Sequence, residues 1–201
     1  MQFDPNNPNL VPWREVEHLV QDGWLAQFRG REWLSRLIMA VSNGVHSHSA
    51  MLRRVNGNGH QIDILDIDEA RDGAALPFEQ VLKTYSGQID LFAPDQDRWM
   101  YFSARGAVNH MRILTGRKYG RRGILRLYAM KFPIVRLFFG ASTDDLLDAS
   151  AQPFCSHAVT TAYRVGGGVD PVPNRPDHLV SPADLTSSLF FSYRFTPTAS
   201  L

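Results

Sequence analysis

The chain contains a single cysteine, Cys155, in the stretch Pro153-Phe154-Cys155-Ser156-His157. Apolar residues follow it at helical spacing and the run stops at a Gly-Gly-Gly triplet, so Cys155 is predicted to begin a helix. The unpaired amides and the positive dipole end of a helix start favour a thiolate over a thiol. The same amides could hold an oxyanion on an attacked carbonyl. The position is therefore compatible with a nucleophile, although on position alone a small buried hydrophobe is the commoner role of a free cysteine.

A cysteine nucleophile needs a base, and two histidines of one predicted strand could supply it. The segment Val45 to Val55 is predicted to be a strand whose two-residue period puts His46 and His48 on one face. Spacing alone does not choose between them. His157 is a poor candidate, because two helical positions turn it roughly 200° away from Cys155. It is predicted to be a capping or surface histidine.

The base also needs an acceptor that fixes its tautomer. An Asn-Gly-Asn-Gly turn at residues 56–59 predicts a hairpin in which residues 61–68 pair with the histidine strand. Ile62, Ile64 and Asp66 share one face of this second strand, and Asp63, Leu65 and Ile67 share the other. Asp66 is the predicted orienting residue. Since sequence does not fix the register across the turn, the alternatives are Asp63, Glu69 and His60.

The elements around these residues predict an α+β fold, with an antiparallel sheet or small barrel packed against helices. Hairpin strands cluster in the first half and helices in the middle, which argues against a doubly wound sheet. Residues 1–10, rich in Asn and Pro, are predicted to be a disordered or extended lead-in to a single domain over 11–201. The remaining predicted elements are strands at Trp24–Phe28 and Gln88–Phe92, helices at Pro77–Tyr85 and Asp97–Leu114, and either a short helix or a second strand at Trp33–Val41.

Bulk properties exclude several classes of function. The 201 residues include 21 Lys and Arg against 20 Asp and Glu, for a net charge of +1, so nucleic acid is not an expected partner. One cysteine permits no internal disulfide. The N-terminus lacks the features of a signal peptide, and charged residues interrupt the apolar stretch Ile124 to Phe139. We therefore expect a cytoplasmic protein without a stable membrane span, with a phage protein or secretion by another route as the alternatives. The sequence leaves its oligomeric state open.

Three other motifs suggest different kinds of site, but the evidence for each is weaker. His46-x-His48 with His60 or Asp63 has residue types that zinc uses, yet the ligand set is incomplete, so neither a metal nor a cofactor is expected. The glycines at 166–168 lack the Lys-Ser/Thr of a phosphate loop and follow a helix, which indicates a helix stop. The basic residues around Tyr119, at 117–122, are predicted to form a solvated face.

Two short motifs resemble a known family. Ser47-His48-Ser49-Ala50-Met51 is similar to the "Ser-His-x-Gly/Ala-hydrophobic" strand of the circularly permuted NlpC-type papain-like hydrolases, the YiiX-like group related to lecithin:retinol acyltransferase. Phe154-Cys155-Ser156-His157-Ala158-Val159 resembles the start of their cysteine helix. The histidine strand precedes the cysteine helix, as the permutation requires. Weaker similarities are Trp24–Phe28, Leu37-Ile38, Tyr119-Gly120 and the closing Ser181-Pro182-Ala183-Asp184-Leu185 turn.

The resemblance implies a circularly permuted papain-like fold and a cysteine hydrolase of the amidase or peptidase type. In that family pattern Cys155 is the nucleophile, His48 the base and Asp66 the third polar residue, with Asp68 and Glu69 close to the same position. A thioacyl intermediate would form on an amide or ester carbonyl. The implied substrates are a peptide, a peptidoglycan-type amide or a lipid acyl group. The alternatives are an acyltransferase of the lecithin:retinol type and a non-catalytic or metal-binding module on the same fold.

Overall fold

A computed structural model of the chain describes residues 3–55, 61–68, 72–115 and 155–199. These residues form a seven-stranded sheet in the order β1-β7-β6-β2-β3-β4-β5, in which β1 runs parallel to β7 and the other neighbours are antiparallel. The strands are β1 Leu10–Pro12, β2 Trp24–Arg29, β3 His48–Arg54, β4 Ile62–Asp68, β5 Asp72–Pro77, β6 Gln88–Pro94 and β7 Phe191–Thr198. The helices are α1 Trp13–Val16, α2 Trp33–Ser42, α3 Phe78–Thr84, α4 Ala104–Thr115, α5 Cys155–Thr161 and α6 Pro182–Thr186. A π-helical turn, Ala162–Gly166, continues α5, and two 3₁₀ turns lie at Glu17–Leu19 and Asp177–Leu179.

Alternation along the strands produces a buried cluster on each face of the sheet. What we call the α5 face carries Leu25, Met51 and Leu65, which pack with α4 and α5. What we call the α3 face carries Ala50 and Leu52, which pack with α1 and α3. The alternation predicted for β4 is confirmed, because Ile62 and Ile64 lie in the second cluster and Leu65 and Ile67 in the first.

Strands β3 and β4 separate toward one end of the hairpin. Their ladder runs from Arg54 opposite Ile62 to Met51 opposite Leu65. Beyond it both strands continue, but β3 pairs with β2 as far as His48, while β4 pairs with β5. Both described strands thus present backbone groups to a gap between them. This gap is where the candidate site lies.

Several predicted elements form as expected, while others differ. The segment Trp33–Val41, for which the sequence left a short helix and a second strand open, belongs to helix α2. Helix α4 begins at Ala104 instead of Asp97, because Asp95 accepts the Arg98 N–H in a turn and the Ser103 hydroxyl caps the Gly106 N–H.

Residues near the start of the described chain, among them Phe3 and Leu10, are held against the sheet. Leu10 pairs with Thr196 in β1, and the Phe3 ring packs on His46 and Tyr193 with centroids 5.1 and 5.0 Å apart. Aromatic packing and strand pairing here provide the contacts that composition alone does not reveal.

Several sequence predictions lie outside the described residues. They are the turn at 56–59 with His60, the acidic alternative Glu69, the basic residues at 117–122 and the apolar stretch at 124–139. Among the helices that the structure describes, none has the length and apolarity needed to cross a membrane.

Candidate active site

Cys155 is the first residue of α5, as the spacing predicted. It is 6% exposed and packs within the cluster on the α5 face. Its neighbour Ser156 is fully buried and donates its hydroxyl to the Val180 carbonyl at 2.7 Å. The predicted helix stop is also present, because Gly168 ends this helical run with a φ of +75°, which favours glycine. The thiol is therefore held at a fixed position on the sheet.

His48 lies at the start of β3, beside the gap between β3 and β4. Its Nε2 is 2.5 Å from Asp66 Oδ1 of β4. The ring packs edge-on against Phe28 with centroids 5.1 Å apart, and the side chain remains 20% exposed. Asp66 occupies Nε2, and the His48 ring also interacts with the Cys155 thiol, so Nδ1 is the ring nitrogen left for that thiol. The structure thus brings together the three predicted residues.

The electrostatics of this group favour a charged pair. Burial alone would raise the pKa of Cys155, but the positive charge and hydrogen bond of His48 outweigh it and lower that pKa. Burial would lower the pKa of His48, but the charges of Asp66 and Cys155 raise it well above its ordinary value. These directions favour a thiolate beside an imidazolium.

Two backbone amides complete the surroundings of the sulfur. Interaction with the backbone N–H groups of Ser49 and Ser156 also lowers the pKa of Cys155. Ser49 lies in the part of β3 beyond the ladder with β4, so its amide serves the sulfur instead of a neighbouring strand. Sequence reasoning missed this donor, because a backbone amide carries no side-chain signal and the gap in the sheet results from tertiary packing.

His46 does not share a face with His48, contrary to the strand prediction. It precedes β3, and its ring packs near Phe92 on the α5 face. Its Nε2 is 2.8 Å from Asp90, and its Nδ1 is 2.9 Å from Thr186 Oγ1. Burial is the main cause that lowers its pKa, opposed by Asp90. Because the strand begins only at His48, the two-residue period does not extend back to His46.

The other candidates have different partners. Asp63 pairs with Arg53 at 2.7 Å on the opposite face from Asp66. His157 is half-buried near Asp177 and Arg164, and burial lowers its pKa to about 4. His157 is thus less exposed than the predicted capping or surface position implies, because it lies near the segment around Asp177. Sequence could not show that contact between residues 20 positions apart.

The described residues do not fit a metal site. No group of three or more His, Cys, Asp or Glu side chains that could hold a metal ion occurs within ranges 3–55, 61–68, 72–115 and 155–199. His46, His48 and Asp63 of the possible zinc set bind three different partners.

Comparisons with known proteins place the fold. No family model matches the chain, and no curated protein matches it. A solved structure, the metalloprotein YiiX from Escherichia coli O157:H7, is similar over 89% of this chain and 98% of its own, with a TM-score of 0.59 and 13% sequence identity. The chain therefore has a YiiX-like α+β fold. At that identity the similarity concerns the fold alone.

Proposed function

We propose that this protein is a cysteine-dependent hydrolase of the amidase or peptidase type, with a circularly permuted papain-like arrangement. Cys155 is the nucleophile, His48 the base and Asp66 the residue that orients His48. The observation that carries the proposal is the continuous chain of contacts from the Asp66 carboxylate through the His48 ring to the Cys155 thiol. Nucleophile, base and orienting acid in this order are the general requirement for nucleophilic catalysis.

The first half of the reaction forms a thioester. The Cys155 thiolate attacks the carbonyl carbon of an amide or ester, a C–S bond forms, and the carbonyl electron pair moves onto oxygen. The amides of Ser49 and Ser156, which act on the Cys155 thiol, can donate to the resulting oxyanion and stabilise it. The oxyanion then collapses, and the leaving amine or alcohol takes the proton from His48 Nδ1.

The second half releases the acyl group. His48, now neutral, takes a proton from a water molecule, which attacks the thioester carbonyl. The C–S bond breaks, the carboxylic acid leaves, and the proton on His48 restores the charged pair. Asp66 holds the ring in place throughout by its contact with Nε2 and stabilises each imidazolium. The chemistry requires an acyl substrate but does not select the groups on either side of the carbonyl.

The pH profile of Cys155 alkylation tests the nucleophile. Because Cys155 is the sole cysteine, iodoacetamide labelling followed by intact-mass measurement reports on one site. The same chain in denaturant provides the matched reference, with an expected thiol pKa of about 8.5. We expect the folded protein to show a midpoint at least about one pH unit lower, equivalent to a tenfold larger thiolate fraction at pH 6. A folded-state midpoint at or above the reference would contradict the proposal.

Acyl transfer to the thiol provides the second test. Mixing the protein with p-nitrophenyl acetate is expected to release a burst of p-nitrophenol and to leave one acetyl group on Cys155. Cys155→Ser keeps the size of the side chain but is a much weaker nucleophile, so the burst should disappear. A burst of equal size in Cys155→Ser would contradict the assignment of Cys155 as the nucleophile.

A further inference from the structure

A short segment, residues 180–186, is hydrogen-bonded to both sides of the Cys155–His48 pair. It consists of the Val180 carbonyl, the cap residue Ser181 and helix α6. These bonds involve none of the three proposed catalytic side chains. They involve residues near those side chains, and all are buried except the bond between Thr186 and His46, which is partly buried.

On the thiol side, the contact runs through Ser156. Its hydroxyl donates to the Val180 carbonyl at 2.7 Å, and its backbone N–H directly follows Cys155 in α5 and favours the thiolate. Residues 180–186 therefore fix the position of the amide that contacts the thiolate.

On the imidazole side, two contacts flank His48. The Ser49 hydroxyl donates to Gln27 Oε1 at 2.9 Å, and Gln27 Nε2 donates to the Pro182 carbonyl at 3.1 Å. His46 Nδ1 lies 2.9 Å from Thr186 Oγ1. Because Asp90 holds Nε2 of the same ring at 2.8 Å, His46 cannot rotate without losing both contacts. His46 and Ser49, on either side of His48 in the chain, are thus hydrogen-bonded to α6, His46 directly and Ser49 through Gln27.

The segment itself is rigidly built. Ser181 and Asp184 form a reciprocal capping box, in which Asp184 Oδ2 accepts the Ser181 N–H at 2.8 Å and the Ser181 hydroxyl accepts the Asp184 N–H. Arg175 donates to the same Asp184 oxygen at 2.7 Å. A rigid turn can transmit a fixed distance between the groups bonded to it.

We propose that residues 180–186 position the two halves of the active site, with Ser156 as the positioning residue for the thiol and Ser49 and His46 as the positioning residues for the imidazole. The inference rests on the proposed function. Its physical basis is that attraction between a thiolate and an imidazolium falls with their separation, so a small displacement raises the pKa of the thiol.

The test compares two buried hydroxyls of the same helix. Ser156→Ala removes the bond to Val180 but retains the backbone N–H at position 156. Thr160→Ala is the matched control, because the Thr160 hydroxyl is also buried but donates to the Ser156 carbonyl within α5 at 2.8 Å. Both variants are compared with the parent by the pH profile of iodoacetamide labelling, below the unfolding temperature of each.

We expect Ser156→Ala to lower the labelling rate at pH 6 by about three- to tenfold, which corresponds to a rise of up to one unit in thiol pKa. Thr160→Ala should keep the parent profile within about twofold, even if both variants unfold at a similarly reduced temperature. Ser156→Thr, which retains a hydroxyl, should recover most of the parent rate. Ser49→Ala tests the imidazole side independently should Ser156→Ala fail to fold.

The outcomes separate the two proposals. A depressed pKa in the parent that is unchanged in both Ser156→Ala and Ser49→Ala would overturn the positioning inference and leave the proposed function intact. Equal shifts in Ser156→Ala and Thr160→Ala would also overturn it, since loss of any buried hydroxyl would then suffice. An ordinary thiol pKa in the parent would instead contradict the proposed function.

Discussion

His46 and His48, two residues apart in the chain, place their imidazoles on opposite faces of the sheet and against different carboxylates. His46 contacts Asp90 at 2.8 Å on the α5 face, whereas His48 contacts Asp66 at 2.5 Å beside Phe28 of the α3 face. The His-x-His pattern is therefore not a ligand pair. One imidazole belongs to the proposed active site and the other to a buried network.

Because the two histidines have different partners, replacing each by leucine should rank them in opposite order for the loss of stability and for the change in thiol pKa. His46→Leu should lower the free energy of unfolding by about 2 to 3 kcal/mol, because it removes a buried hydrogen-bond partner from Asp90 and Thr186. His48→Leu should cost less stability, since this side chain is partly exposed, but it should move the thiol pKa furthest. Urea unfolding and labelling profiles of both variants check the ranking. A larger pKa change in His46→Leu would contradict it.

Asp66 is predicted to act on the thiol through His48. Asp66→Asn removes the negative charge that raises the pKa of His48, so the imidazolium becomes less stable and the thiol pKa rises. Labelling at pH 6 should fall about tenfold for a one-unit change. Asp63→Asn is the matched control, because Asp63 lies on the same strand and pairs with Arg53. Identical labelling profiles for the two variants would contradict the role of Asp66 in the proposed active site.

We predict that the folded protein loses stability on acidification, because His157 is half-buried. Its pKa is lowered to about 4 in the folded protein, from an ordinary value of 6.5, with burial as the main cause. Between these values the unfolded chain binds a proton that folded His157 does not. Stability therefore falls as the pH decreases from 6.5 toward 4, by up to about 1.4 kcal/mol per pH unit from this group.

The measurement is urea unfolding at several pH values across that window. His157→Gln should flatten the dependence, whereas His18→Gln, at an exposed position, should leave it unchanged. If the His157→Gln variant retained the full slope of the parent, another group would be responsible.

Metal removal is predicted to leave the site functional. The YiiX structure is described as a metalloprotein, but the described residues of this chain do not form a metal-ligand group. Dialysis against EDTA should therefore preserve the labelling profile of Cys155 and the acetyl burst. Elemental analysis before and after dialysis provides the control. Stoichiometric zinc, together with hydrolytic activity that survives Cys155→Ala, would contradict the cysteine mechanism.

Periodicity predicted the local parts of the fold and site well. The helix start at Cys155, both faces of β4 and the glycine helix stop follow from patterns within about ten residues. The α4 boundary was missed, because the side-chain caps at Asp95 and Ser103 interrupt an otherwise helical apolar pattern. Boundaries of this kind depend on local hydrogen bonds that apolar spacing does not encode.

The sequence by itself determined that one cysteine begins a helix and that a histidine hairpin precedes it, because these features depend on neighbouring residues. Only the tertiary structure decided which histidine lies beside the thiol and which aspartate contacts that histidine. That choice depends on where β3 begins and where it separates from β4, and on the bonds that residues 180–186 make to Ser156 and Gln27. Such contacts join residues more than twenty and more than one hundred and fifty positions apart. They form when strands and helices pack together, so no local pattern specifies them.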